Sequence, residues 1–136
     1  MNALPPALPE DADKRKEFPI YSGFIKYFPH AIAAVANLSY QGNQQHSPGQ
    51  PLHWAMEKST DEPDALMRHL IGAAESQIAT NKDREIQEAT RVAWRGMANL
   101  QRLLTGQEAG RAGVLNGCPE FEPKAEYQSI PLTQPD

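Results

Sequence analysis

Between residues 29 and 105 apolar side chains recur every three or four positions, in three runs separated by polar breaks. The first run, His30 to Ser39, carries Ile32, Val35, Ala36 and Leu38 behind Pro29, a residue that the first turn of a helix tolerates. A second helix is predicted to begin near Thr60 or Asp61 as N-cap. Glu62, Pro63 and Asp64 fall in its first turn, where carboxylates favour the positive end of the macrodipole. Its apolar stripe is Met67, Leu70, Ile71, Ala74 and Ile78. Asn81 to Arg84 interrupt the pattern, and Asp83 can cap a third helix with inward positions Ile86, Thr90, Ala93, Met97, Leu100 and Leu104. The pattern therefore predicts an all-α fold: a small antiparallel bundle of about three helices, with these stripes facing inward.

The flanks read differently. Residues 1–17 hold prolines 5, 6 and 9 among alternating charges, too little apolar surface to offset ordering entropy, and are expected to form a mobile arm. Phe18, Ile20, Tyr21, Phe24, Ile25, Tyr27 and Phe28 are expected to pack as an extended or turn-like cover on the core. Glycines 110, 113 and 117 and prolines 119, 123, 131 and 135 mark residues 106–136 as a tail. The expected organisation is thus an arm (1–17), a helical domain (18–105) and a Gly/Pro-rich tail (106–136).

Composition narrows the classes. A net charge of -4 and a pI near 5.5 argue against a partner in polymeric nucleic acid, which requires a basic face. The single cysteine, Cys118, excludes an intrachain disulfide framework and a multi-cysteine zinc site. No apolar run approaches the ~18 residues of a membrane span, and the first residues lack the order of a signal peptide, so a cytoplasmic protein is expected. Three short helices give a thin core, and self-association into a homo-oligomer is expected.

Candidate chemistry concentrates in Tyr40 to Trp54, YQGNQQHSPGQPLHW, read as a loop because Gly42, Asn43, Pro48, Gly49 and Pro51 are turn-formers. The stretches from Arg15 to Pro19, Gly23 to Ser39, Gly42 to Trp54, Lys58 to Leu70 and Arg91 to Gln101 carry, in this order, motifs that resemble those of phage and prophage dATP/dGTP diphosphohydrolases. The resemblance covers roughly two thirds of the chain. It implies metal-dependent cleavage of a purine deoxynucleoside triphosphate to monophosphate and pyrophosphate.

Such cleavage needs a metal, an activated water and cations on the departing pyrophosphate. Mg2+ or Mn2+ takes oxygen ligands, and Asp61, Asp64, Glu85 and Glu88 are the best supply, with Asp61, Asp64 and Glu88 as the catalytic set. The Glu85–Glu88 spacing resembles the carboxylate helices of all-α NTP pyrophosphohydrolases. The family pattern has a histidine where this chain has Glu88, and the connection from Gly72 carries Glu75 instead, an exchange that favours harder cations. Lys58, Arg68, Arg91 and Arg95 are candidate phosphate partners. Ser59, beside Lys58, lies at a helix start that offers N–H groups to an anion. His46, His53 and His69 are candidates to orient substrate, His69 equally as a buried residue that orients a neighbour. Trp54 is placed either to stack on a base or to pack in the core. If Asp64, Arg68 and Glu75 on one helix face Glu88, Arg91, Arg95 and Asn99 on the next, a charged cleft forms; if not, they are solvated ion pairs. Two other readings stay open: a non-catalytic phage protein that sequesters a signalling nucleotide, and an assembly protein with no nucleotide affinity.

Overall fold

The structure, a computed structural model, describes residues 4–58 and 60–106, for Glu57 the backbone alone. The predicted tail from 107 to 136 and Ser59 lie outside the described residues. Among the described residues there is no strand, and the fold is all-α as the pattern predicts. A single turn, α1 (Ala12–Arg15), is capped by Asp11, whose carboxylate accepts from the Asp13 and Lys14 N–H groups. A π-helical turn spans Tyr21–Ile25, followed by α2 (Pro29–His46), a 3-10 turn at Met56–Lys58, α3 (Glu62–Ile78) and α4 (Lys82–Thr105).

Helix α2 runs seven residues past the predicted end and absorbs Tyr40–His46, the first half of the expected loop. Nothing in that stretch prohibits helix: Gly42 sits in open space, and Gln41 Nε2 donates to Asn37 Oδ1 one turn back at 2.8 Å. The true stop is Pro48, which disfavours helical backbone at Ser47, the C-cap residue. The remaining loop is folded back by Asn43 Nδ2, which donates to the Gln50 carbonyl at 2.9 Å.

Helices α3 and α4 form an antiparallel hairpin, and α2 packs on α4. Their link is tight because two caps overlap in it. The Asn81 N–H bonds the Ser76 carbonyl and the Thr80 N–H bonds the Gln77 carbonyl, the double bond of a Schellman motif, with Thr80 left-handed at φ 53°. Asn81, not Asp83, then caps α4, its Oδ1 accepting from the Arg84 N–H at 3.2 Å. Gly106 ends α4 at φ 69°, the left-handed conformation for which glycine carries no Cβ penalty.

The hairpin reverses the expected stripes. Met67, Leu70, Ile71, Ala74 and Ile78 on α3 are exposed, Ile78 at 85%; so are Ile86, Ala93, Met97, Leu100 and Leu104 on α4, while Thr90 is half-buried. The seam is instead Glu62, Ala65, His69, Gly72 and Ser76, facing Glu88, Arg91, Arg95, Ala98 and Arg102. Both seams keep the three–four spacing, displaced by about half a turn from the apolar stripes. Small residues draw the helices close, and charges on one helix are matched on the other. Among the described residues the only buried apolar side chains are Ala65 and Ala98. The aromatic segment is not a core cover either. Its residues are exposed and contact one another, with Phe24 and Phe28 edge to face at 6.0 Å and Lys26 over the Tyr21 ring at 5.7 Å. No helix among the described residues is long and apolar enough to cross a membrane.

Candidate functional site

At the open end of the hairpin a buried ion network meets two indoles. Glu62, 2% exposed, accepts from Arg95 Nη1 at 2.9 Å and lies 3.7 Å from Arg102 Nη2. Arg102 also donates to the Met56 carbonyl, which ties the 3-10 turn to α4. Trp54 and Trp94 meet edge to face at 5.5 Å, with the Arg95 guanidinium over Trp94 and that of Arg102 over Trp54. Trp94 Nε1 donates to Ser39 Oγ at 2.9 Å, which brings α2 into the same cluster. At the rim, Asp61 accepts from Arg68 Nη2 at 2.8 Å, and this hydrogen bond holds its carboxyl below the usual aspartate range.

A second cluster lies midway along the hairpin. His69 Nδ1 is 2.8 Å from Glu88 Oε2, and an ionised Glu88 accepts from a protonated Nδ1. Arg91 Nη1 donates to Glu88 Oε1 at 3.3 Å. Gly72 makes room for this carboxylate: a Cβ there would stand 3.0 Å from Glu88 Cδ. His69 thus contacts a neighbouring side chain, and that partner is one of the carboxylates offered above to a metal.

Between α2 and α4 a groove of about 300 Å³ opens beside the Glu88 cluster. Its polar lining is Asn37 and Gln41 from α2 and Gln87, Thr90 and Arg91 from α4. Arg91 belongs to both, so the Glu88 cluster fixes the guanidinium that borders the groove. Amides, a hydroxyl and a guanidinium converging on one concavity are what recognition of a polar planar ligand requires.

The predicted metal ligands do not come together within one chain. Asp61 stands at the N-cap of α3, whereas Glu88 lies opposite Gly72, about 16 Å further along the helix axis at 1.5 Å per residue. Asp64 is exposed, and Glu85 sits another turn away beside Lys82 Nζ at 3.8 Å. Among the described residues no group of three or more histidine, cysteine, aspartate or glutamate side chains could hold a metal ion. Among the described residues the four candidate carboxylates of one chain are thus not gathered into a single Mg2+ or Mn2+ donor set. The charged cleft forms in part: Glu88, Arg91 and Arg95 line the seam, but Asp64, Arg68 and Glu75 are exposed, and Glu62 and His69 are the partners from α3.

His46 is the exposed last residue of α2, and His53 and Lys58 are exposed around the half-buried Trp54. The sequence reading missed Glu62 as an ion-pair acceptor, Trp94, Arg102, and the groove amides Asn37, Gln41 and Gln87. The available signal for the first group was the three–four series of small and charged residues, 62-65-69-72-76, running in step with the apolar one. No family model, curated protein or solved structure matches the chain, and the resemblance to dATP/dGTP diphosphohydrolases rests on its own motifs.

Proposed function

We propose that this protein binds a purine nucleotide in the groove between α2 and α4. The observation that carries it is the groove lining: the amides of Asn37, Gln41 and Gln87 supply donors and acceptors for a base edge, and Arg91 supplies a cation for phosphate. Glu88 and His69 are positioning residues that hold Arg91 at the rim. At about 300 Å³ the groove is at the small end of ligand sites, enough for a base with phosphate reaching into solvent. Sequestration of a nucleotide is the role this geometry supports best, within a homo-oligomer.

The second reading is metal-dependent hydrolysis of dATP or dGTP to monophosphate and pyrophosphate with Mg2+ or Mn2+, favoured by the motif order. It requires the carboxylates of Asp61, Asp64 and Glu88 to be assembled across chains, since one chain separates them. Incubation with dATP, dGTP and cyclic dinucleotides, with each metal or EDTA, followed by calorimetry and chromatography of products, separates the two. Binding of intact nucleotide in EDTA, weakened at least tenfold by Arg91→Ala and by Gln41→Ala, is the expected result. Metal-dependent release of dNMP and pyrophosphate would replace it with the hydrolase, and no affinity for any nucleotide would leave an assembly role.

A further inference from the structure

The α3–α4 hairpin presents the faces that a bundle normally hides. Four large apolar side chains on α3 (Met67, Leu70, Ile71, Ile78) and five on α4 stand exposed. At on the order of 100 Å² per side chain, the four on α3 offer on the order of 400 Å², about half of the ~800 Å² that each partner contributes to a standard interface, and the α4 stripe points the other way. We propose that a second copy of this chain covers the α3 face, the two α3 helices packing antiparallel about a twofold axis beside Ile71 and Ala74.

The register follows from the spacing. Positions 67, 71, 74 and 78 alternate by four, three and four, the seam of a coiled-coil pair. Reversing one copy sets Met67 against Ile78 of the other and Ile71 against Ala74, so the large Ile71 meets a small residue and two large side chains meet at the end of α3. Arg68 and Glu75 occupy the same edge of this stripe, seven residues apart, and are exposed. A twofold pairing brings Arg68 of each copy opposite Glu75 of the other, twice per dimer. A self-complementary charge pattern of this kind points to the chain itself as occupant. Among the described residues Ala65 and Ala98 are the buried apolar side chains, so the exposed α3 stripe is open to a cover of this kind.

Charge reversal tests the register in nucleotide-free protein, by sedimentation and light scattering. Arg68→Glu and Glu75→Arg, each alone, put like charges across both contacts and should raise the dimer dissociation constant on the order of tenfold. The double variant should return to within about threefold of wild type. Interactions within one chain predict the opposite order. Arg68 pairs with Asp61 and Glu75 with Arg84 in the same protomer, so the double variant breaks both pairs and would be the worst of the three. Ile71→Lys should abolish association. If it fails to fold, the charge variants still decide. A wild-type chain that stays monomeric and fully helical up to high micromolar concentration, or a double variant weaker than either single one, would overturn the proposal.

Discussion

Asp61 occupies the position where a helix start favours a capping carboxylate, yet its side chain makes no bond to the N–H groups of α3 and turns to Arg68 instead. A charged donor at 2.8 Å outcompetes neutral amides. The carboxyl is held low chiefly by the hydrogen bond from Arg68. A depressed acid stabilises the fold above its unfolded value, about 3.9, and that contribution is lost as pH falls through the lower folded value. The side chain of Asp61 should therefore titrate below about 3.9 by NMR and rise to the ordinary value in Arg68→Gln. A wild-type carboxyl that titrates normally would mean that the pair does not form in solution. The same pair explains why a residue offered to a metal is a poor ligand: binding would have to displace Arg68.

Packing of α3 on α4 turns on one glycine. Gly72 sits mid-helix, where alanine is ordinarily favoured by about 1 kcal/mol. Here the added Cβ would lie 3.2 Å from Glu88 Oε1, and that carboxylate is pinned by His69 and Arg91. Gly72→Ala should thus cost about 1–3 kcal/mol in denaturant unfolding, and the sign should reverse in a Glu88→Ala background, where only the propensity gain is left. Equal effects in both backgrounds would show that Glu88 does not fill this space. The existence of the three long helices, the start of α3 at Asp61 and the turn at Asn81 were legible in the sequence because they depend on local chemistry. Which face turns inward was not. Apolar and polar-small series share one period on α3 and α4, and the rule that apolar faces the core chose the wrong one, because small and charge-matched residues make the seam of this hairpin. The site was partly legible: Arg91 and His69 stood out by type, whereas Gln41 lay inside a stretch whose glycine and amides resemble a loop and Asn37, on the predicted first helix, carried no distinguishing signal.

At the scale of the whole molecule, the question is what offsets the entropy of ordering three long helices, on the order of 1–2 kcal/mol per residue for the backbone alone. Helix hydrogen bonds and a seam of ion pairs do not suffice. Buried ion pairs are weak sources of net stability because desolvation cancels most of their attraction, as at Glu62, whose Oε1 has no hydrogen bond. Apolar burial is the usual source, and the described residues bury little of it. If association supplies the missing burial, folding and assembly are one transition, and stability depends on concentration. Each tenfold rise in concentration adds about 1.4 kcal/mol per dimer. Set against an unfolding entropy of roughly 0.4 kcal/mol/K for two chains of about 100 ordered residues, that raises Tm by about 3 °C. Thermal scans of helicity over a hundredfold range should therefore move by about 6 °C in one cooperative step, with Ile71→Lys shifted far down and no longer concentration-dependent. A Tm that does not move over that range would mean that the polar seam holds the hairpin by itself and that the apolar stripes serve some purpose other than assembly.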